Sequence, residues 1–107
     1  MRVYRQAVEM NRQLAGVAGV IERRDRDLLR QLKRAASSVA LNLAEGLGTT
    51  AGNRELRFQT ALGSAKEVQA CLDVADAWGY LGDRHGEMRR SVDVTVAMLV
   101  SLVKARR

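Results

Sequence analysis

An all-α fold, an antiparallel up-and-down four-helix bundle, is predicted for this 107-residue chain by three observations. Pro is absent and aromatics are few (Tyr4, Phe58, Trp78, Tyr80), whereas Ala, Leu, Arg, Glu and Val abound, a composition that favours helix over sheet. Apolar residues recur in four stretches at steps of four and three, which holds each set on one helical face. Segments rich in Gly, small or charged residues separate the stretches. The length suits one domain over 1–107 with a single core. A chain of this size buries somewhat under roughly 70% of its unfolded surface, so oligomerisation would add to a thin reserve.

The first helix carries Val3, Ala7, Met10, Leu14, Val17 and Ile21 on one stripe. Gly16 and Gly19 each cost about 1 kcal/mol relative to Ala, so this helix is expected to fray or end near them. After the charged stretch Glu22 to Asp27, a second helix presents Leu28, Leu32, Ala35, Val39, Leu43 and Leu47, with Gly46 and Gly48 as its stop. Leu47 to Gly52 reads as the connecting loop and Asn53 as the start of the next helix.

The third helix carries Phe58, Leu62, Ala65, Val68, Leu72 and Ala75, and ends at Gly79-Tyr80-Leu81-Gly82, where Tyr80 and Leu81 are expected to cap the core. Asp83 is the expected N-cap of the fourth helix, whose seam is Met88, Val92, Val96, Leu99 and Val103. Val94, Val100 and Leu102 widen that helix's apolar surface beyond one seam, which calls for a second partner such as another subunit.

No apolar run approaches the roughly 18 residues of a membrane span, and no signal-peptide core opens the chain, so a cytoplasmic location away from membranes is expected. The single Cys71 sits in an apolar helical pattern and reads as a structural thiol. A di-metal carboxylate centre needs Glu-x-x-His pairs on facing helices, and the one histidine, His85, has no ligand partner at metal spacing. Ser37, Ser38, Thr49, Thr50 and Ser64 have no histidine base nearby in sequence. Neither catalysis nor a metal or cofactor is expected.

Charge is distributed unevenly. Residues 1–34 carry nine positive and four negative side chains, residues 35–83 three and six, and residues 84–107 six and two, within a net charge of +6. Arg23, Arg26, Arg30, Lys33 and Arg34, with Arg24 beside them, form a basic ridge opposite the second helix's apolar stripe. Arg89, Arg90, Lys104, Arg106 and Arg107 add positive charge at the two ends of the fourth helix. An RNA or DNA phosphate backbone is the partner this pattern suits. A solvated bundle exterior and a self-complementary contact with the acidic third helix are the competing readings. The aromatics are scattered and none interleaves with the ridge, so binding should be backbone-directed, weakly specific and strongly salt-dependent. Asn42 and Glu45, three residues apart in an apolar stretch, form a candidate structural polar network with Glu67 of the third helix as counterpart.

Three segments, Gln31 to Ala36 (QLKRAA), Ser38 to Gly46 (SVALNLAEG) and Ala61 to Glu67 (ALGSAKE), followed by the Gly79-Tyr80-Leu81 turn, carry a resemblance. In this order they resemble the four-helix bundle proteins encoded by intervening sequences of bacterial 23S ribosomal RNA genes, from about Tyr4 to Lys104. Ala40 stands where that family often has Pro, which should make the second helix more continuous, and Leu41 where it often has Ser. The basic residue often found soon after Ala-Glu-Gly is displaced to Arg54.

The resemblance implies a bundle that assembles into a homo-oligomeric ring, with pentamers among family members, and no assigned enzymatic activity. It extends to the accessory proteins of diversity-generating retroelements, basic barrels that associate with a reverse transcriptase and with nucleic acid. A ring would multiply the net charge and make the ridge a continuous basic surface. The function expected is therefore a non-catalytic nucleic-acid-binding ring, the alternative being a protein-interaction scaffold with no nucleic-acid role.

Overall fold

The computed structural model describes residues 1–105, so Arg106 and Arg107 lie outside the described residues. It comprises α1 (Arg2–Arg24), α2 (Arg26–Leu47), α3 (Ala51–Ala77) and α4 (His85–Ala105), with no strand among the described residues. Each helix packs on two neighbours in the cyclic order α1, α2, α3, α4, within a body of 42 × 21 × 19 Å. Helices of 21 to 27 residues run about 32 to 40 Å at 1.5 Å per residue, the length of the long axis. Cross-helix bonds run in opposing order, Arg57 to Asn42 and Ser38 to Ser64 on one side, Gln69 to Asp93 and Arg89 to Asp73 on another, which makes neighbouring helices antiparallel.

The stripe of α1 is buried at all six expected positions. The helix also continues through Gly16 and Gly19 to Arg24, correcting the expected fraying. Val17, between those glycines, and Ile21, beyond them, are fully buried, and burying each side chain contributes roughly 1.5–3 kcal/mol, more than a helical Gly costs. In α2 the stripe holds as far as Leu43, but Leu47 is 45% exposed. Gly46 occupies the buried position instead. It is no helix stop: a Cβ built there would lie 2.6 Å from Phe58 Cε1 and 3.3 Å from Arg57 Cβ, so α2 and α3 approach this closely only because residue 46 has no side chain. Gly48 is the C-cap, and α3 starts at Ala51 after Thr50, two residues before Asn53.

In α3 and α4 the seam takes a step of three where a step of four was expected. Ala61 and Thr95 are fully buried, and Leu62 and Val96 are half-buried beside them. Thr95 is a polar residue in the core, and its hydroxyl donates to the Ser91 carbonyl (3.0 Å) and accepts from Gln6 Nε2 (3.2 Å), which removes the penalty of burying it. Asn11 Nδ2 similarly donates to the carbonyls of Ala7 and, across to α2, Ala36, both at 2.9 Å. Leu81 is buried and Tyr80 packs on the core, as expected of that turn. Asp83 is not the N-cap of α4: Met88 N–H donates to the Arg84 carbonyl, so Arg84 holds that place. Cys71 is buried, and burial, with Glu67 nearby, pushes its thiol up. No helix is long and apolar enough to cross a membrane.

Ion pairs tie α3 to α4. Arg89 bonds Asp73 (2.5 Å) and Asp93 (3.0 Å), His85 Nε2 lies 3.0 Å from Asp73, and Gln69 donates to Asp93 (2.8 Å). Burial pushes the Asp73 carboxyl up, but hydrogen bonds from His85 and Arg89 and the Arg89 charge outweigh it and hold it below its ordinary range.

Gly46→Ala should destabilise the fold by about 1–3 kcal/mol in denaturant unfolding, because Phe58 or the helix spacing must shift to admit the methyl group. Asp73→Asn should cost at most about 1 kcal/mol near neutrality, as expected of exposed pairs. Because the folded carboxyl titrates below its ordinary 3.8, its contribution is present above that pH and lost below it. The wild-type and variant unfolding midpoints should therefore converge as pH falls below about 4.

Candidate nucleic-acid interface

The ridge is built around a one-residue hinge. Asp25 is the only residue between α1 and α2, in extended conformation (φ −159°, ψ 90°). Its N–H donates to the Ile21 carbonyl (2.7 Å), closing α1, and its Oδ1 accepts from Leu28 N–H (2.9 Å), capping α2. The carboxylate in the middle of Arg24-Asp25-Arg26 is thus spent on the backbone, and the chain reverses so sharply that the basic residues of both helix ends share one end of the bundle.

From there α2 carries the cations outward. Arg26, Arg30 and Lys33 line an open cleft between the end of α1 and the outer face of α2, floored by Leu29 and rimmed by Glu22 and Asp27. Leu29 is buried, whereas Arg26, Arg30 and Lys33 around it are exposed. Arg30 bonds Asp27, which also accepts from Gln31 (3.0 Å). Arg26 and Lys33 have no ion-pair partner among the described residues.

The other expected contacts are divided. The Arg23 guanidinium folds back along α1 beside Gly19, and that of Arg24 lies 5.4 Å from the centroid of the Tyr80 ring. An aromatic from the α3–α4 turn therefore does meet the ridge, which sequence separation concealed. Arg34 lies 3.7 Å from Glu67 across to α3, with both groups largely exposed. Arg89 is half-buried and held by two aspartates, whereas Arg90 is exposed and lies along its own helix beside Gly86. Arg89 points at α3 and is not part of the cleft.

The expected polar network exists in altered form. Asn42 Nδ2 donates to Ser38 carbonyl and Oγ (both 2.9 Å), Ser38 Oγ is 2.8 Å from Ser64 Oγ, and Arg57 bridges Asn42 Oδ1 (3.3 Å) and Glu45 (3.0 Å). Glu67 is outside it. The pairs Ser38–Ser64 and Glu45–Arg57 are both centred on residue 51, which places Glu67 opposite Arg34, over two helical turns from Asn42. That mirror symmetry is the signal that would have selected Arg57. Arg54 donates to the carbonyls of Gly46 (3.1 Å) and Thr49 (3.2 Å) and closes the end of α2. Among the described residues no three His, Cys, Asp or Glu side chains converge to hold a metal ion.

A crystal structure of a protein of unknown function from the S23 ribosomal protein family of Bacteroides thetaiotaomicron superposes with a TM-score of 0.87, covering 95% of this chain and 98% of that one at 15% identity. At that identity the likeness establishes the fold. A comparison with curated proteins finds no match. The family model of the 23S rRNA-intervening sequence protein matches residues 1–101. With the bundle, the Ser38 to Gly46 network and the Gly79 turn in place over that span, this chain belongs to the 23S rRNA-intervening sequence protein family.

Proposed function

We propose that this chain is a non-catalytic accessory protein that binds an RNA or DNA backbone as a homo-oligomeric ring, with Arg26, Arg30 and Lys33 meeting phosphates. The observation that carries the reading is the cleft itself: three cations around one open depression, two of them without an ion-pair partner among the described residues. Phosphates are suited to such a surface, since each contact releases condensed counterions. Arg23, Arg24 and Arg34 flank the cleft as secondary contacts.

Ring assembly, a pentamer by family resemblance, is supported by where apolar surface is left over. Leu41 (61% exposed) and Leu56 lie on the outward faces of α2 and α3, and Val94 (50%) on that of α4, where a depression lined by Tyr4, Val8 and Met98 adjoins it. The α2–α3 and α4–α1 sides are opposite edges of the bundle, so joining one to the other is a heterologous contact, the kind that closes rings. Likeness to retroelement accessory proteins supports a reverse transcriptase as a further protein partner. The same apolar surface would serve a protein scaffold without nucleic acid, and binding experiments separate the two.

Joint replacement of Arg26, Arg30 and Lys33 by Ala should weaken binding to all sequences alike and flatten the slope of log affinity against log salt by about 2 to 3, read by fluorescence anisotropy. Unchanged affinity would move the phosphate contacts elsewhere. Leu41→Glu and Val94→Glu should each reduce the light-scattering mass to that of smaller species while leaving helical circular dichroism intact. Retention of mass by both variants would exclude these faces as subunit contacts.

A further inference from the structure

We infer that the end of the bundle where α1 meets α2 and α3 turns into α4 is a stacking site for an unpaired nucleobase, formed by Trp78 and Tyr80 with Arg24. This rests on the reading of the adjoining ridge as a phosphate track.

Trp78 is the one tryptophan of the chain and 69% exposed, more than any other large apolar residue described. It stands on a rigid turn. Tyr80 N–H donates to the Ala75 carbonyl and Gly79 N–H to that of Asp76, both at 2.9 Å, with Gly79 left-handed (φ 77°): a Schellman closure that Leu81, 1% exposed, anchors in the core. The indole is therefore presented to solvent by a fixed backbone, a geometry that lowers the entropic cost of stacking.

The turn also lies where the ridge begins. Arg24 over Tyr80 connects the aromatic turn to the α1–α2 hinge. Val74 shares a groove with Asp25 and Asp27, and Trp78 is one helical turn beyond Val74 toward the bundle end. A strand whose phosphates follow Arg30 and Arg26 toward the α1–α2 hinge would arrive at the end of the bundle that carries the arginine-backed phenol and the exposed indole. A basic track ending on aromatic faces is the arrangement by which proteins hold single strands, because every base has a π-face and none of its hydrogen-bonding edges is required. Paired bases, stacked inside a duplex, offer no such face except at a blunt end, so unpaired segments should be preferred.

The test uses the full chain with two probes of equal length and mixed sequence, a single-stranded RNA of about 12 nucleotides and its duplex closed at both ends by hairpin loops of non-nucleotide linker. Anisotropy of the labelled probe and emission of Trp78 are read in one titration at low salt. The single strand should quench Trp78 and the capped duplex leave it unchanged. Trp78→Ala should weaken the single strand about 5- to 100-fold, with Trp78→Phe between, and move duplex affinity less than about two-fold. Binding of both probes with Trp78 emission unmoved, or equal affinity of Trp78→Ala for the single strand, overturns the stacking site and leaves the phosphate track standing. Absence of binding by either probe removes both. A fall in the light-scattering mass of Trp78→Ala without nucleic acid assigns Trp78 to a subunit contact and overturns the proposal.

Discussion

Two α-helices come as close as α2 and α3 do at their joined ends only where one of them presents no side chain. Gly46 provides that opening and the Phe58 ring fills it, with a would-be Cβ 2.6 Å from ring carbon. Because the loop between the helices is only three residues, 48–50, this contact also sets the pairing register. Glu45 then meets Arg57, Ser38 meets Ser64, and Arg34 comes level with Glu67. The polar residues of the Ser38 to Gly46 motif thus act together with the glycine: the small residue lets the backbones approach, and the hydroxyl and amide groups hold the register that the approach permits.

That register decides what α2 shows to solvent. Its buried stripe faces α1 and α3, so the cationic positions in its first half are turned outward, while Leu41 in its second half is left bare. A helix basic at one end and apolar at the other on its outer face presents two surfaces of different chemistry along one element. Under the proposed function, nucleic acid would meet the first half and a neighbouring subunit the second, without competing for the same residues.

The negative charge is handled by separation. Asp25 is consumed by capping, and Asp73 and Asp93 are held by Arg89 with help from His85 and Gln69 on the far side of the bundle. The net result is an α3–α4 seam in which acid and base cancel and an α1–α2 end in which they do not. Summed over the chain the excess charge is modest, and its effect depends on this sorting.

Helix number, antiparallel order and most of the core were legible in the sequence, because a buried stripe must repeat every three or four residues whatever its partners are. All six positions of α1 follow from that rule alone, and the match over residues 1–101 agrees with the motifs that marked the family. The rule was blind where two neighbouring positions compete for the seam. Whether Leu62 or Ala61, Val96 or Thr95, Leu47 or Gly46 faces inward depends on the width of the gap left by the opposing helix. The basic ridge was visible as a face, whereas its division into a free cleft, a cation over Tyr80 and an arginine held by two aspartates was not. Those outcomes join residues far apart in the chain, Arg24 with Tyr80 and Arg89 with Asp73. The sequence by itself determined the helices and the sign of each surface; only the tertiary structure decided which charges remain unpaired and which aromatics reach them, because both depend on distances across the bundle that the periodicity of a single helix does not contain.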